Sequence, residues 1–151
     1  MNKILVAYYS HSGTTKKVAE QVHQAIGGDL FETKKATPYP RDYNTVVKLA
    51  KQEIANKFKP ELEDVIPKTS DYDLIILGSP NWWGTIAPPV ATFLVQSNLS
   101  AQRIAPFITH GGGGLSQTIS DIKKLCPGAN VLEGFDANRR GQFSAWLQSL
   151  I

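Results

Sequence analysis

"KILVAYYSHSGTT", residues 3–15, passes without warning from an unbroken apolar run to four hydroxyl side chains (Ser10, Ser12, Thr14, Thr15), one imidazole (His11) and one glycine (Gly13). A continuous apolar run, rather than an alternating one, is the pattern of a strand buried on both faces of a sheet. A solvated turn would be content with Asn, Asp, Gly and Pro. This segment has no acid, and its surplus of hydroxyls exceeds the single one that a helix cap needs. With a helix beginning near Thr14, unpaired N–H groups and the positive end of the helix dipole converge here, so the expected guest is an anion such as a phosphate. Gly13 lets the backbone approach it closely.

The same strand pattern recurs along the chain. "YDLIILGSP" and "RIAPFITHG" are further buried strands, the second with Pro106 as a local irregularity, and "DLFET" and "NVLEGF" are shorter ones. Between them the period shifts to about 3.6. Val18, Val22 and Ile26 fall on one face before Gly27 and Gly28 stop the first helix. Val46, Val47, Ala50 and Ile54 mark a second, and Pro88 and Pro89 begin a third that runs through Phe93 and Leu94. Ile119, Ile122 and Leu125 make a fourth, and Phe143, Trp146, Leu147 and Leu150 a fifth. Strand and helix therefore alternate five times. Right-handed crossovers then give a parallel sheet with helices on both faces, an α/β three-layer sandwich whose ligands bind beyond the carboxyl ends of the strands.

The whole chain is consistent with one domain over residues 1–151. At 151 residues, 42% hydrophobic and 19% charged, it has the composition of a globular protein with one core, and it contains no internal repeat or low-complexity tract. The N-terminal apolar run is too short to be a secretory or spanning segment, so a cytoplasmic protein with no membrane partner is expected. The lone Cys126 stands at helical spacing after Ile119 and Ile122 and reads as core. A net charge of +3 raises nucleic acid as a partner, but the basic residues come as scattered pairs such as Lys16–Lys17 and Arg139–Arg140, with no stripe interleaved with aromatics. Solvated helix faces explain them, and no nucleic acid is expected.

Two more strand ends carry unusual loops. "GSPNWWGTIAPP", residues 78–89, places Trp82 and Trp83 among Gly, Pro, Asn and Thr, where both cannot point into the core and an indole can stack on a flat ring. "THGGGGLS", residues 109–116, leaves backbone N–H groups free to meet the polar edge of a planar ligand. His110 stays open between a ring contact and a satisfied loop histidine. None of the loops is a Walker sequence or a dinucleotide glycine fingerprint.

"SHSGTT", "GSPNWWG" and "THGGGG", at these strand ends and in this order, resemble the flavodoxins, FMN-binding proteins with strand order 2-1-3-4-5, and "PNWWGTIAPPV" is similar to a small bacterial flavodoxin-like family. The resemblance covers the whole chain. It implies a five-stranded parallel sheet of that order. It implies that Ser10, His11, Ser12, Gly13, Thr14 and Thr15 surround the FMN phosphate. Pro80, Asn81, Trp82, Trp83, Gly84 and Thr85 would flank the isoalloxazine, with His110, Gly111, Gly112 and Gly113 on its other side. The chain lacks the long insertion of long-chain flavodoxins. It also lacks the acidity typical of flavodoxin carriers, while "ATPYPRDY", residues 36–43, carries aromatics near the ligand with no assigned role.

The function implied is electron transfer by bound FMN, to a redox partner protein or a small-molecule acceptor, with no side chain as acid or base. The alternative is an NAD(P)H-dependent FMN-containing reductase of the quinone type. In a carrier, a loop peptide turns its carbonyl toward the half-reduced ring, and Gly84 with Asn81 beside it is the candidate. A receiver domain shares the strand order but needs clustered carboxylates at the first and third strand ends; here neither end has an acid.

Overall fold

The computed structural model describes residues 3–151. Five parallel strand positions form its centre. β1 (Ile4–Tyr8) lies between β2 (Asp29–Glu32) and β3 (Leu74–Trp82), and β5 (Arg103–Thr109) follows β3. The outermost position is shared by two short pieces, β6 (Asn130–Val131) and β7 (Phe135–Asp136), and a two-residue β4 (Thr85–Ile86) folds back antiparallel on the end of β3. The helices are α1 (Thr14–Ile26), α2 (Tyr43–Ala55), α3 (Pro88–Gln96), α4 (Thr118–Leu125) and α5 (Phe143–Leu150). One buried cluster gathers Val46, Val90, Phe93 and Ile122 from α2, α3 and α4 under one sheet face. The other gathers Val18, Val22, Leu147 and Leu150 from α1 and α5 under the opposite face. The three-layer sandwich is thus as expected, and Cys126 is core: its thiol donates to the Ile122 carbonyl, and burial pushes its pKa up.

The strand order reads β2-β1-β3-β5-β6, the expected succession with β4 and β7 added. The fifth strand is broken where one continuous strand is expected. Ile104 and Ile108 turn their carbonyls outward, to the amides of Leu132 and Ala137, while the Arg103 amide turns inward to the Asp73 carbonyl. Pro106 shares the outward phase and has no N–H to give. Opposite it, three steps on β5 (Ile104 to Phe107) face four on the outer edge (Val131 to Phe135), so one extra residue bulges out. Gly134 stands in that bulge, where a Cβ would lie 2.4 Å from Ile119 Cδ1. β5 itself runs unbroken through Pro106, which pairs with Leu77. No helix among the described residues is long and apolar enough to cross a membrane.

Gly78 keeps the middle of the sheet flat under an aromatic ring. It pairs with Tyr8 on one side and Phe107 on the other, and a Cβ there would come within 2.2 Å of Phe107 Cζ. Because Phe107 is fully buried, the ring has nowhere to retreat. Gly78→Ala is therefore expected to destabilise the chain by about 3 kcal/mol. Urea unfolding should show a lower midpoint at unchanged slope.

Candidate functional site

β1, β3 and β5 end at the same edge, and their loops meet the N-terminal half of α2 around a cavity of about 580 Å³. Its lining divides into a polar half, with Ser12, Thr14, Thr15, Thr109, His110 and Gly111, and an apolar half, with Tyr43, Val46, Val47, Ala50, Trp82 and Trp83. His11, Pro80 and Asn81 complete it, and among the described residues no lysine, arginine or carboxylate lines it.

At the polar end, α1 starts without any side-chain cap, and its first turn has no acid. α2 differs, since Asp42 accepts from the Thr45 amide at 3.0 Å. The open N–H groups of the first turn of α1 are thus available to an anion. Gly13 turns the chain into the helix with φ +99°, and its amide donates to Ser10 Oγ at 3.1 Å, which uses the Ser10 hydroxyl inside the loop. Thr15 is buried and its hydroxyl pairs with that of Thr109 at 2.8 Å, tying the first loop to the end of β5. Ser12 and Thr14 are exposed, with their hydroxyls 3.4 Å apart.

At the other end, Trp82 and Trp83 have different surroundings. Trp82 packs on the core, edge-on to Tyr9 and Tyr39, each with its centroid 5.4 Å away, and to His11 at 6.2 Å. Trp83 remains 52% exposed at the tip. The strand β3 extends into the stretch expected to be loop, and Trp83 and Gly84 form a two-residue hairpin turn with φ +56° and +85°, the two positive angles of a type I′ turn. A bulky residue in the left-handed region costs about 1–2 kcal/mol. Trp83 is held there by its indole N–H, which donates to the Val47 carbonyl at 3.0 Å, and by Lys51 Nζ, 4.9 Å from its ring centre.

Behind this tip, Asn81 braces both loops. Its amide nitrogen donates to the Gly114 carbonyl at 2.8 Å and to Ser116 Oγ at 3.2 Å, while Oδ1 accepts from the Gly84 amide at 2.9 Å. The Gly84 carbonyl is taken by the Gln117 amide at 2.9 Å, and the Thr85 hydroxyl by Asp121. In the glycine loop, the Gly112 amide donates to His110 Nδ1 at 3.0 Å, which places the ring proton on Nε2, against Asp136 Oδ1 at 2.7 Å. His110 is therefore a lining residue whose two nitrogens are both engaged. Asp136 is pushed up by partial burial, but the hydrogen bonds from His110 and the Asn138 amide outweigh this and hold its carboxyl below the usual range.

Of the expected site residues, Ser10, Gly13, Gly84, Thr85, Gly112 and Gly113 stand outside the cavity lining, the others in it. Sequence reasoning missed the wall from α2. Val46 and Ala50 carry the ordinary apolar period of a core face, while Tyr43, in the 36–43 stretch whose aromatics carry no assigned role, stands 74% exposed at the cavity. Thr109, shared by the third strand run and the glycine-rich stretch, ends β5 and lines the cavity.

Residues 3–150 match the sequence profile of the family described as Flavodoxin. The chain belongs to the flavodoxin family. Among solved flavodoxin-like structures, one from Bacteroides eggerthii is 32% identical, covers 99% of this chain and 98% of its own, and superposes with a TM-score of 0.88. A flavoprotein from Lactobacillus acidophilus, solved in complex with FMN, is 32% identical over 95% of this chain and 99% of its own, with a TM-score of 0.79. An NAD(P)H dehydrogenase (quinone) from Azorhizobium caulinodans is 29% identical over 95% of this flavodoxin-family chain and 76% of that protein.

Two outcomes follow for this site. Asn81→Ala removes three hydrogen bonds and should cost about 1–3 kcal/mol; hydrogen exchange should show the Gly84 amide losing protection while the strand β1 amides keep theirs. The depressed Asp136 contributes stability that is present above its unfolded value of about 3.9 and is lost as pH falls through the lower folded value. Asp136→Asn should remove that acid-side loss from the pH profile of the unfolding midpoint.

Proposed function

We propose that the chain binds FMN non-covalently in this cavity and serves as an electron-transfer flavoprotein, exchanging electrons with a redox partner protein or a small-molecule acceptor. The observation that carries the reading is the meeting of an uncapped helix start, an acid-free ring of hydroxyls and two tryptophans in one cavity. The FMN complex of the Lactobacillus acidophilus relative supports it. The residues present fit the group. Thr14, Thr15 and Ser12 with the first-turn amides of α1 would hold the phosphate, Trp82 and Trp83 would meet the isoalloxazine, and His110 to Gly111 would border its polar edge. Bound FMN supplies the redox chemistry, while the chain orients it and excludes water.

A second reading, an NAD(P)H-dependent reductase of the quinone type, is favoured by one observation. The two peptide units that flank Gly84 are each engaged, one through the Gly84 amide by Asn81 and the other through the Gly84 carbonyl by Gln117, so a carbonyl turning toward a half-reduced ring has to break a hydrogen bond. The Azorhizobium caulinodans relative, by its name, points the same way. Anaerobic stepwise reduction separates the two: a carrier accumulates half-reduced flavin and ignores NADH and NADPH, whereas a reductase is bleached by one of them directly.

The phosphate assignment has its own test. Each charge-assisted hydrogen bond is worth about 1.5–3 kcal/mol. Ser12→Asp puts a carboxylate beside the phosphate, so fluorescence titration should show FMN affinity falling at least tenfold and riboflavin affinity little changed. Equal losses for both ligands would remove the phosphate from this loop.

A further inference from the structure

The segment at residues 36–43 and one buried face of α2 build a feature that cofactor binding alone does not require. Tyr39 lies edge-on to Trp82, with ring centres 5.4 Å apart, and Trp82 lines the cavity. The Tyr39 hydroxyl donates to Glu53 Oε1, and Glu53, 6% exposed on α2, is also paired with Lys35 Nζ at 3.1 Å. Lys35 Nζ in turn sits 3.8 Å above the Tyr39 ring. A carboxylate on a helix face is normally solvated; this one is buried to receive a phenol.

We propose that Tyr39 is a redox-active tyrosine: when an electron is drawn from Trp82 by a one-electron oxidant in the cavity, Tyr39 refills Trp82 and hands its phenolic proton to Glu53. The inference rests on the FMN reading for its oxidant in the loaded protein, the photo-excited isoalloxazine. The balance is simple. The oxidant gains one electron from Trp82, Trp82 regains one from Tyr39, the Tyr39 O–H bond breaks, and Glu53 becomes a neutral acid beside a neutral phenoxyl. Return of the electron and the proton restores the start, so no other reactant is consumed.

Three features of the cluster select this route. The Lys35 ammonium over the ring opposes a positively charged Tyr39, so oxidation has to shed the proton at once, and Glu53 is the base in contact. Burial first, and then the bond to Glu53, push the Tyr39 pKa far up, so the resting phenol keeps its proton until the electron leaves. Tyr9 is the internal control. It stands at the same 5.4 Å from Trp82, but its hydroxyl has no carboxylate partner among the described residues. The route thereby drains oxidising equivalents from an indole at the cavity into a shielded phenol.

The test is transient absorption after a laser flash on the FMN-loaded protein, with a second arm in which azidyl radicals from pulse radiolysis oxidise the tryptophans of the flavin-free chain. In both arms the indolyl band should decay into a phenoxyl band, more slowly in D2O. Tyr39→Phe and Glu53→Gln should abolish the phenoxyl band and lengthen the indolyl lifetime. Tyr9→Phe should leave both as in the parent chain, and Trp82→Phe should remove the transfer. Near-ultraviolet circular dichroism identifies any variant that has lost its packing, and the D2O comparison on the parent chain does not depend on a variant. A phenoxyl band that survives in folded Tyr39→Phe, or that forms equally in Glu53→Gln, overturns the proposal. So does the absence of any phenoxyl band in the azidyl arm. A protein that fails to take up FMN but makes phenoxyl in the azidyl arm would refute the FMN reading and leave the tyrosine assignment standing.

Discussion

One row of parallel pairing, Tyr8 beside Gly78 beside Phe107, sets where everything at the site can be. Parallel strands run the same way, so the chain leaves each of them at the same edge of the sheet. β1 ends on this row and β5 two residues after it, while β3 continues to Trp82 and turns back. Sliding β3 by one residue would turn Trp82 from the side of Tyr9 and Tyr39 to the opposite face. It would also place a side chain against the Phe107 ring. The glycine at position 78 is therefore tied to the site through register, although it touches no ligand-facing group.

The parts of the fold that were legible in the sequence are those where local pattern and tertiary demand agree. The apolar runs of β1, β3 and β5 are buried on both faces, and the stripe Val18, Val22 of α1 is buried against them. Legibility fails where a backbone group decides the outcome. The split of the fifth strand follows from the missing N–H of Pro106 on a neighbouring strand, which no pattern within "NVLEGF" could announce. The Trp83–Gly84 hairpin is hidden because a type I′ turn ordinarily displays Asn or Asp with Gly. Here tertiary contacts to Val47 and Lys51 hold a tryptophan where an asparagine would be expected. At the site, the three loops were visible because their residue types are wrong for plain turns. The α2 wall was not, because a residue can serve the core and a cavity with the same apolar side chain.

That strained tryptophan bears on what the site does. A left-handed bulky residue persists only where its surroundings over-determine it, and such positions cluster at functional sites. Asparagine at this turn would relieve the strain but would leave the cavity without its outer indole. The two tryptophans also divide the work by environment. Trp82 is fixed by two tyrosines and a histidine, whereas Trp83 is anchored through one indole hydrogen bond and a cation over its face. Trp82 is half-buried against the core, whereas Trp83 stands exposed at the rim.

The absence of any charged side chain from the lining shapes the electrostatics of the whole cavity. An anion there would be held by the open first-turn amides of α1, by nearby hydroxyls and by the helix dipole. Such a site responds weakly to salt compared with one built on exposed lysines, because its partial charges are local and partly sheltered. Lys51 lies at the Trp83 face, the Asp136 carboxylate behind His110, and the Lys35–Glu53 pair behind Tyr39. Each reaches the cavity only through aromatic or imidazole rings, so these charges stand behind its lining rather than in it.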